Sequence, residues 1–511
     1  MRTPAGIQPF YTMKIFYLFF LLPVISQAQL QLAGIFSDNM LLQRDHPVHI
    51  WGKAIPGKTV EVYFADEIKL TSVKADSTWS IHLRPQKADS DPKRLTVNSG
   101  QEQVVLQNII IGDIWVCIGQ SNMEWPMIKE MHFQEASGDY RQPALRFYNP
   151  SYPGKNIYNT VFNDSLAQLL NIEKFYSGHW EMCDSSSVKS MSAVAFYFGK
   201  SVLDNAEVPV GLINLAIGGA PLESFIGKNT LLKNKKFSSK IQNDWLENDA
   251  LPAWIRERGK QNIGNVPFIP GDENGKNHAY KPGFAYAAGI APLFELPVKG
   301  VICYQGESNA QEIERVNEYA ALSKLMMDDY RKNWKQSRLP FYFVQLSSID
   351  TAKYKGQLWP EFRNEQRKML QLIPHSGMAV CSDIGARNDV HPTNKKAVGE
   401  RLARWALNKT YQLNIMPSGP LPVSASYSKE KVVVSFEFVA KALKTSDGGL
   451  LKGFSLDGRN EVEALFDQNH IIIHTSQKPD FVYYGWKSYS EGNLVNSEGL
   501  PASTFKIKVR K

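Results

Sequence analysis

Ser121 and His391 are the two residues of this 511-residue chain with the strongest signals for covalent chemistry. Ser121 follows the apolar run Ile114–Ile118 and precedes a helical pattern, so it occupies a strand-to-helix turn. A serine in such a turn can project its hydroxyl from the sheet as a nucleophile. His391 stands directly before Pro392 at the start of a later helical pattern, where an imidazole can act as a general base.

Two further segments offer hydrogen-bond donors for an oxyanion. Gly218-Gly219 follows the apolar run 211–217, and glycines allow a backbone N–H to approach a substrate closely. The segment 305–309, Gln-Gly-Glu-Ser-Asn, follows the run 300–304 and carries side-chain amides. Each feature alone is more often a helix cap or a turn. Together they make up the set that acyl transfer requires.

The elements that must position these residues alternate between strands and helices, which predicts an α/β core with a parallel sheet. The predicted strands are Ile114–Ile118, Gly211–Ile217, Gly300–Tyr304, Phe341–Leu346 and Met378–Cys381, and the predicted helices are Ala193–Leu203, Val316–Trp334 and Thr393–Leu407. In open parallel sheets ligands bind beyond the carboxyl ends of the strands. We therefore expect the reactive segments to meet at one edge of this sheet.

Shorter strand patterns flank this core on both sides. Runs such as Thr59–Phe64 and 432–436 are apolar or alternating and are bounded by turns, which is typical of small β-sandwiches. A chain of this length also exceeds what one hydrophobic core normally holds, roughly 250–300 residues. We predict a β-rich domain over 29–110, the α/β domain over 111–412 and a second β-rich domain over 413–511.

Residues 1–28 have the pattern of a secretory signal peptide. Lys14 precedes the apolar run 15–25, and the run ends in Ser26-Gln27-Ala28, with small residues at the positions that signal peptidase reads. The run is shorter than the roughly 20 apolar residues of a membrane span. We expect a secreted or periplasmic protein without a membrane span. Three of the four cysteines lie in apolar runs, so we expect burial rather than disulfide pairing.

Composition argues against several function classes. The net charge of +8 arises from 58 basic and 50 acidic residues spread along the chain, without the clustering expected of a nucleic-acid binder. The 10 histidines show no His-x-x-x-His or similar spacing, which disfavours a metallohydrolase. We therefore expect no metal and no nucleic acid.

Three ordered blocks resemble the sialate O-acetylesterases of the SGNH hydrolase superfamily. They are Gly119–Pro126 (Gly-Gln-Ser-Asn-Met-Glu-Trp-Pro), Tyr304–Asn309 (Tyr-Gln-Gly-Glu-Ser-Asn) and Asp389–Lys395 (Asp-Val-His-Pro-Thr-Asn-Lys). The segments Phe36–Arg44 and Val208–Ile213 also look like this family, so the resemblance extends from about residue 30 to 410. It implies an SGNH-type, flavodoxin-like three-layer core between the β-rich flanks.

The resemblance also implies roles for single residues. Ser121 corresponds to the nucleophile and His391 to the base, and the oxyanion hole would combine the N–H of Ser121, the N–H of Gly219 and the amide of Asn309. Gly219 is preferred to Gly218 because it follows the small residue of the second block. No cofactor is implied.

The third member of the catalytic set stays open at this stage. The superfamily places an Asp three residues before the His, where this chain has Asn388, whereas Asp389 lies two residues before it. Asp389 could complete a triad, or a backbone carbonyl could orient His391 in a dyad.

Three polar residues within the blocks are expected to bind substrate. They are Gln120, beside the predicted nucleophile, and Gln305 and Glu307, in the third block.

The substrate is expected to be an acetylated sugar, with sialic acid as the first choice. An acetyl xylan esterase is the alternative within the enzyme class, and a catalytically dead carbohydrate-binding or surface protein is the alternative outside it. Tyr280–Tyr286 diverges from its family counterpart, and Cys303 stands where the family often has Trp. Both departures lie near the predicted cleft, so sugar preference could differ.

Overall fold

The computed structural model describes Met1, Gly6 and residues 29–352 and 354–511. The predicted signal peptide, residues 1–28, therefore lies almost entirely outside the described residues. Among the described residues, no helix is both long and apolar enough to cross a membrane.

The N-terminal region consists of β-strands. They are β1 (Gln31–Leu32), β2 (Leu41–Gln43), β3 (Val48–Lys53), β4 (Thr59–Phe64), β5 (Glu67–Ser72), β6 (Thr78–Leu83), β7 (Asp89–Ser99) and β8 (Glu102–Gly119). Only the last of them, β8, continues into the central sheet, while β1, β3 and β6 form a sheet of their own. The first half of β8 pairs with β7, and its second half forms the centre of the parallel sheet. The predicted division at residue 110 falls within β8, and one hydrophobic core continues across it.

The central region alternates strands with helices. Its strands are β9 (Gln142–Tyr148), β10 (Trp180–Cys183), β11 (Val210–Asn214), β12 (Gly271–Asp272), β13 (Gly275–Lys276), β14 (Gly300–Tyr304), β15 (Phe341–Gln345) and β16 (Ser376–Val380). Its helices are α1 (Ser121–Glu124), α2 (Asp164–Gln168), α3 (Ser187–Ser190), α4 (Ala193–Ala206), α5 (Lys228–Lys233), α6 (Ala253–Ile263), α7 (Ile313–Asn333), α8 (Trp359–Leu372) and α9 (Lys395–Lys409).

The central strands lie in the order β10-β9-β11-β8-β14-β15-β16, and all neighbours from β9 to β16 are parallel. All residues of β11, β14 and β15 are buried, which explains their continuous apolar sequences. The five predicted strands are confirmed; four have ends that differ by up to three residues, whereas Ile114–Ile118 is the last part of the much longer β8. Sequence analysis missed β9, and it also missed β10, which is antiparallel to β9 at the sheet edge.

The last long helix shows how local sequence sets an element that bears on the site. The Asn394 side chain accepts a hydrogen bond from the Ala397 N–H, so α9 begins at Lys395 rather than at the predicted Thr393. Val398, Leu402 and Trp405 are buried on one face of α9, with the spacing of an amphipathic helix.

The C-terminal region forms its own β-rich unit. Its strands are β17 (Leu421–Ser428), β18 (Lys431–Glu437), β19 (Leu443–Thr445), β20 (Phe454–Ser455), β21 (Leu465–Asp467), β22 (His470–His474), β23 (Phe481–Tyr484), β24 (Leu494–Asn496) and β25 (Phe505–Arg510). Seven of them form one sheet, and a separate hydrophobic cluster fills this region. The Arg363 guanidinium of α8 donates to the Gly485 carbonyl, at 3.2 Å, and joins this unit to the centre.

All four cysteines are buried and unpaired, as expected from their apolar surroundings.

Candidate active site

Ser121 lies where β8 ends and α1 begins, at the carboxyl edge of the sheet. The turn before it depends on Gly119, whose φ is +137°. A Cβ on Gly119 would lie 2.1 Å from the carbonyl oxygen of Tyr304 in the neighbouring strand β14. Only glycine lets the chain turn this close to β14, and the turn leaves Ser121 partly exposed.

His391 reaches Ser121 from the loop before α9. Its Nε2 atom lies 2.8 Å from the Ser121 Oγ, within hydrogen-bonding distance although 270 residues separate them. The Trp125 ring stacks on the imidazole, with ring centroids 5.4 Å apart. The residues predicted as nucleophile and base are thus brought together in the geometry that proton transfer from a hydroxyl requires.

Asp389 contacts His391 twice through one carboxylate oxygen. Its Oδ1 atom accepts the His391 backbone N–H at 2.8 Å and lies 3.3 Å from the ring Nδ1. The second distance is long for a charge-assisted hydrogen bond, and the Asp389 side chain is 58% exposed. The contact of Asp389 with the His391 backbone is therefore stronger than its contact with the imidazole ring.

Two backbone N–H groups are available to an oxyanion. Among the described residues, neither the Ser121 N–H nor the Gly219 N–H donates to another group. Gly219 has φ +78°, and a Cβ on it would lie 2.4 Å from the Tyr280 hydroxyl. That hydroxyl donates to the Gly218 carbonyl at 2.8 Å, so the divergent segment Tyr280–Tyr286 begins against the glycine pair.

Asn309 is held in the interior beside this pair. Its Nδ2 donates to Glu223 Oε2 at 2.9 Å, and its Oδ1 accepts from the Leu222 N–H and from Gln305 Nε2. The second N–H of the amide has no acceptor among the described residues. The side chain is 0% exposed, and its predicted role in the oxyanion hole stays a prediction.

The residues predicted to bind substrate lie behind the cavity rather than in it. Gln120, Gln305 and Glu307 are 4%, 1% and 1% exposed. Gln120 Oε1 accepts from the Ser308 N–H at 3.1 Å, and Glu307 accepts from the Asn122 amide. These side chains are buried because three loops meet here, which the sequence alone does not reveal. The role of these three residues in binding the sugar stays a prediction.

An open cavity of about 510 Å³ leads to Ser121 and His391. Sequence analysis did not assign a role to most of its lining, which is Glu124, Trp125, Pro126, Ile128, Lys129, Lys155, Asn156, Tyr158, Lys189 and Ser190. Glu124 and Trp125 belong to the first resemblance block, which was the available signal. The three lysines lie in three separate segments of the chain, and none of them belongs to a recognisable motif.

The charges around the cavity favour a neutral base. Burial lowers the pKa of His391, Asp389 opposes this effect, and the Lys395 ammonium adds to it. Burial raises the pKa of Glu124, although Lys155 lies 3.4 Å from its carboxylate. At neutral pH the imidazole is therefore unprotonated and can accept the Ser121 proton. Among the described residues, no group of three His, Cys, Asp or Glu side chains is arranged to hold a metal.

Comparison with known proteins agrees with this geometry. The family model "Carbohydrate esterase, sialic acid-specific acetylesterase" matches residues 255–408, which include Asn309 and His391 but not Ser121. The sialate O-acetylesterase of Homo sapiens is 27% identical over 421 residues, covering 76% of this chain and 73% of the human protein. That of Rattus norvegicus is 26% identical over 428 residues, covering 76% and 75%.

A solved structure extends the similarity to nearly the whole chain. The carbohydrate acetylesterase from Xanthomonas citri is 27% identical, with a TM-score of 0.77, over 94% of this chain and 99% of that one. The resemblance to sialate O-acetylesterases is thereby confirmed, and the chain is a carboxylic ester hydrolase of the carbohydrate esterase type.

Proposed function

We propose that this protein removes O-acetyl groups from sugars through an acetyl-enzyme formed on Ser121, and that its natural substrate is an acetylated sialic acid. The observation that carries this proposal is the 2.8 Å contact between His391 Nε2 and Ser121 Oγ at the carboxyl edge of the sheet. A hydroxyl paired with a neutral imidazole beside free N–H donors is the arrangement for acyl transfer.

The reaction begins when Ser121 Oγ attacks the acetyl carbonyl carbon while its proton moves to His391 Nε2. The carbonyl oxygen becomes an oxyanion, which the N–H groups of Ser121 and Gly219 stabilise, with Asn309 as the third predicted donor. The C–O bond to the sugar then breaks, and His391 returns the proton to the sugar oxygen. Water, deprotonated by His391, hydrolyses the acetyl-enzyme and releases acetate.

The charge of the cavity rim supports an acidic sugar over a neutral one. Lys129, Lys155 and Lys189 line the cavity, and Glu124 is the single carboxylate of the lining. Lys155 is paired with that carboxylate, at 3.4 Å, which leaves Lys129 and Lys189 for substrate. Sialic acid carries a carboxylate that these ammonium groups would attract, whereas xylose residues carry none.

The experiment measures acetate release from acetylated sialosides and acetylated xylo-oligosaccharides by the wild-type protein and the Ser121→Ala variant. We expect release from sialosides at the higher kcat/KM, and no release above background by the variant. Preference for the xylo-oligosaccharides would mean that the natural substrate is an acetylated plant polysaccharide, cleaved by the same acetyl-enzyme mechanism. Absence of turnover on every ester, including p-nitrophenyl acetate, would favour a binding protein with an inactive site.

An SGNH-type core and secretion are parts of the same proposal. In chain order, β8, β11, β14, β15 and β16 have the sheet order 2-1-3-4-5 of flavodoxin-like folds, which supports the first. The predicted signal peptide supports the second. N-terminal sequencing of the mature protein from its source tests secretion, and we expect it to begin near Gln29.

A further inference from the structure

A buried polar cluster lies directly behind the nucleophile turn. It consists of Asn122, Glu307 and Lys395, whose exposed fractions are 1%, 1% and 0%. The three residues come from three different loops of the sheet edge: the Ser121 turn, the segment after β14, and the start of α9. Two opposite charges without access to water are costly unless each is compensated. Their placement next to the reacting groups therefore calls for an explanation.

Asn122 is the centre of this cluster. Its side-chain N–H groups donate to Glu307 Oε1 and, at 2.9 Å, to the Val390 carbonyl, while its Oδ1 accepts from Lys395 Nζ. The reverse orientation of the amide would face its oxygen to two acceptors and its nitrogen to the ammonium. All three partners therefore fix one orientation. Asn122 follows Ser121 and Val390 precedes His391, so a single side chain joins the two loops that carry the reacting groups.

Lys395 is enclosed by aromatic rings as well as by Asn122. Its ammonium lies 5.5 Å from the centre of the Trp125 ring and 5.4 Å from that of Tyr304. Trp125 in turn stacks on His391. Ring faces stabilise a desolvated cation. The Lys395 charge is thus held in contact with a ring that touches the base.

Burial acts on both charges of the cluster. It raises the pKa of Glu307 to about 7 and lowers the pKa of Lys395 to about 7, and each charge opposes the effect on the other. Asn122 favours the charged forms of both because its oxygen faces the ammonium and its N–H faces the carboxylate. Among the charged groups near His391, Asp389 raises the pKa of the imidazole, whereas Lys395 and Lys129 lower it. The groups that raise the pKa of Lys395 are Glu307, Cys381, Asp389 and Glu130.

We propose that Lys395 and Glu307, joined through Asn122, are positioning residues that hold the Ser121 turn and the His391 loop at the separation needed for proton transfer, and that the Lys395 charge keeps the imidazole in its basic form. This inference rests on the proposed function. Both side chains are buried, and neither lines the cavity. A purely structural role would lower the stability of the fold without changing the protonation of His391.

The test compares p-nitrophenyl acetate hydrolysis by the wild-type protein, Lys395→Met and the matched control Lys396→Met across pH. We expect kcat of Lys395→Met to fall by up to about 10²-fold with KM little changed, because the reacting atoms are misplaced. Removal of a nearby cation stabilises the imidazolium and raises the pKa of His391. The acidic limb of kcat/KM should therefore move to higher pH by about one unit.

Lys396 is a sound control because the same change is made one residue along α9, where the side chain is partly exposed and faces away from Asn122. We expect Lys396→Met to keep the wild-type kcat and the wild-type acidic limb. The double variant Lys395→Met/Glu307→Gln leaves no unpaired charge in the interior and guards against misfolding. It should show the same low kcat and the same shifted limb as Lys395→Met.

Wild-type kcat and an unshifted acidic limb in folded Lys395→Met and in the double variant would overturn the inference. The same result with only a lower thermal midpoint would assign the cluster to stability. Ser121→Ala, measured alongside, distinguishes failure of this inference from failure of the proposed function. If that variant is inactive, failure of the Lys395 test removes the inference alone, whereas retained activity in Ser121→Ala would remove the proposed function and the inference together.

Discussion

The Ser121 hydroxyl and the His391 ring lie at the wall of an open cavity, whereas Asn122 and Lys395, close to them in the chain, are closed off from solvent. We call the first pair the cavity side and the buried cluster Asn122, Glu307 and Lys395 the interior side. The cavity side has few contacts, and its polar groups are left available for substrate. On the interior side, the Asn122 amide joins Glu307 Oε1 and the Lys395 ammonium, whereas Glu307 Oε2 has no hydrogen-bond partner among the described residues. Buried, hydrogen-bonded side chains thus support the reacting groups from behind, while the reacting groups themselves face the cavity.

The position of Asp389 marks the boundary between the two sides. It contacts the base with a carboxylate that is 58% exposed, while the buried Asn122 side chain donates to the Val390 carbonyl of the His391 loop at 2.9 Å. In serine hydrolases with a triad, a single buried aspartate contacts the base, whereas here the contacts to His391 and its loop come from two residues.

The largest effect should come from removing the nucleophile. Ser121→Ala is expected to lower kcat/KM by about 10⁴-fold or more with an unchanged thermal midpoint, because it removes the covalent step and one small hydroxyl. Ser190→Ala is the matched control, since Ser190 lines the same cavity without contacting His391. Comparable losses in both variants would place the chemistry elsewhere.

Asn309→Ala tests whether the buried Asn309 amide also donates a hydrogen bond to an oxyanion formed at Ser121. We expect kcat to fall by about 10²–10³-fold if the free N–H meets the oxyanion. The thermal midpoint should fall as well, because Glu223 loses a buried donor at a cost of about 1–3 kcal/mol. Steady-state kinetics and a thermal melt on one preparation measure both. A rise in KM alone would make Asn309 a sugar contact instead.

Asp389→Asn should have a smaller effect than in a buried triad. The 3.3 Å contact and the exposed carboxylate predict a fall in kcat of about 10- to 10²-fold, against about 10⁴-fold for a buried partner. A change below tenfold, or ~1.4 kcal/mol of barrier, would leave a dyad of Ser121 and His391. A loss near 10⁴-fold would show that the contact tightens during the reaction.

The smallest effect concerns the charged rim. Lys129→Gln should raise KM for an acetylated sialoside by about two- to fivefold, since exposed charge pairs contribute about 0.2–1 kcal/mol. An acetylated xylo-oligosaccharide serves as the neutral control and should be unaffected. Added salt should reduce the difference. An equal rise for both sugars would show that Lys129 shapes the cavity rather than selecting charge.

The two sides also differ in how far the sequence predicted them. Ser121 and His391 could be found because each stands at a strand end inside a recognisable block. The burial of Lys395 could not, since lysine is rarely buried without a partner and its partners lie 273 and 88 residues away in the chain. Glu307 was expected to bind substrate because it follows a predicted strand end. The loop that packs against it could not be predicted from the sequence.

Strand prediction failed where the local pattern was weak. β9 carries Pro143 and β10 has four residues, so neither shows a long apolar run. The loop that carries Lys155 into the cavity follows β9, so it was not predicted either. Runs such as Gly300–Tyr304, buried on every residue, were identified because a parallel strand covered on both faces must be apolar throughout.

Covalent labelling of the wild-type protein with a fluorophosphonate, followed by peptide mass spectrometry and an assay of residual activity, tests the role of Ser121 most directly. We expect one adduct, on Ser121, whose formation parallels the loss of esterase activity and is absent from Ser121→Ala. An active wild-type enzyme that is neither labelled at Ser121 nor inactivated, or that is inactivated through a different residue, would contradict that role.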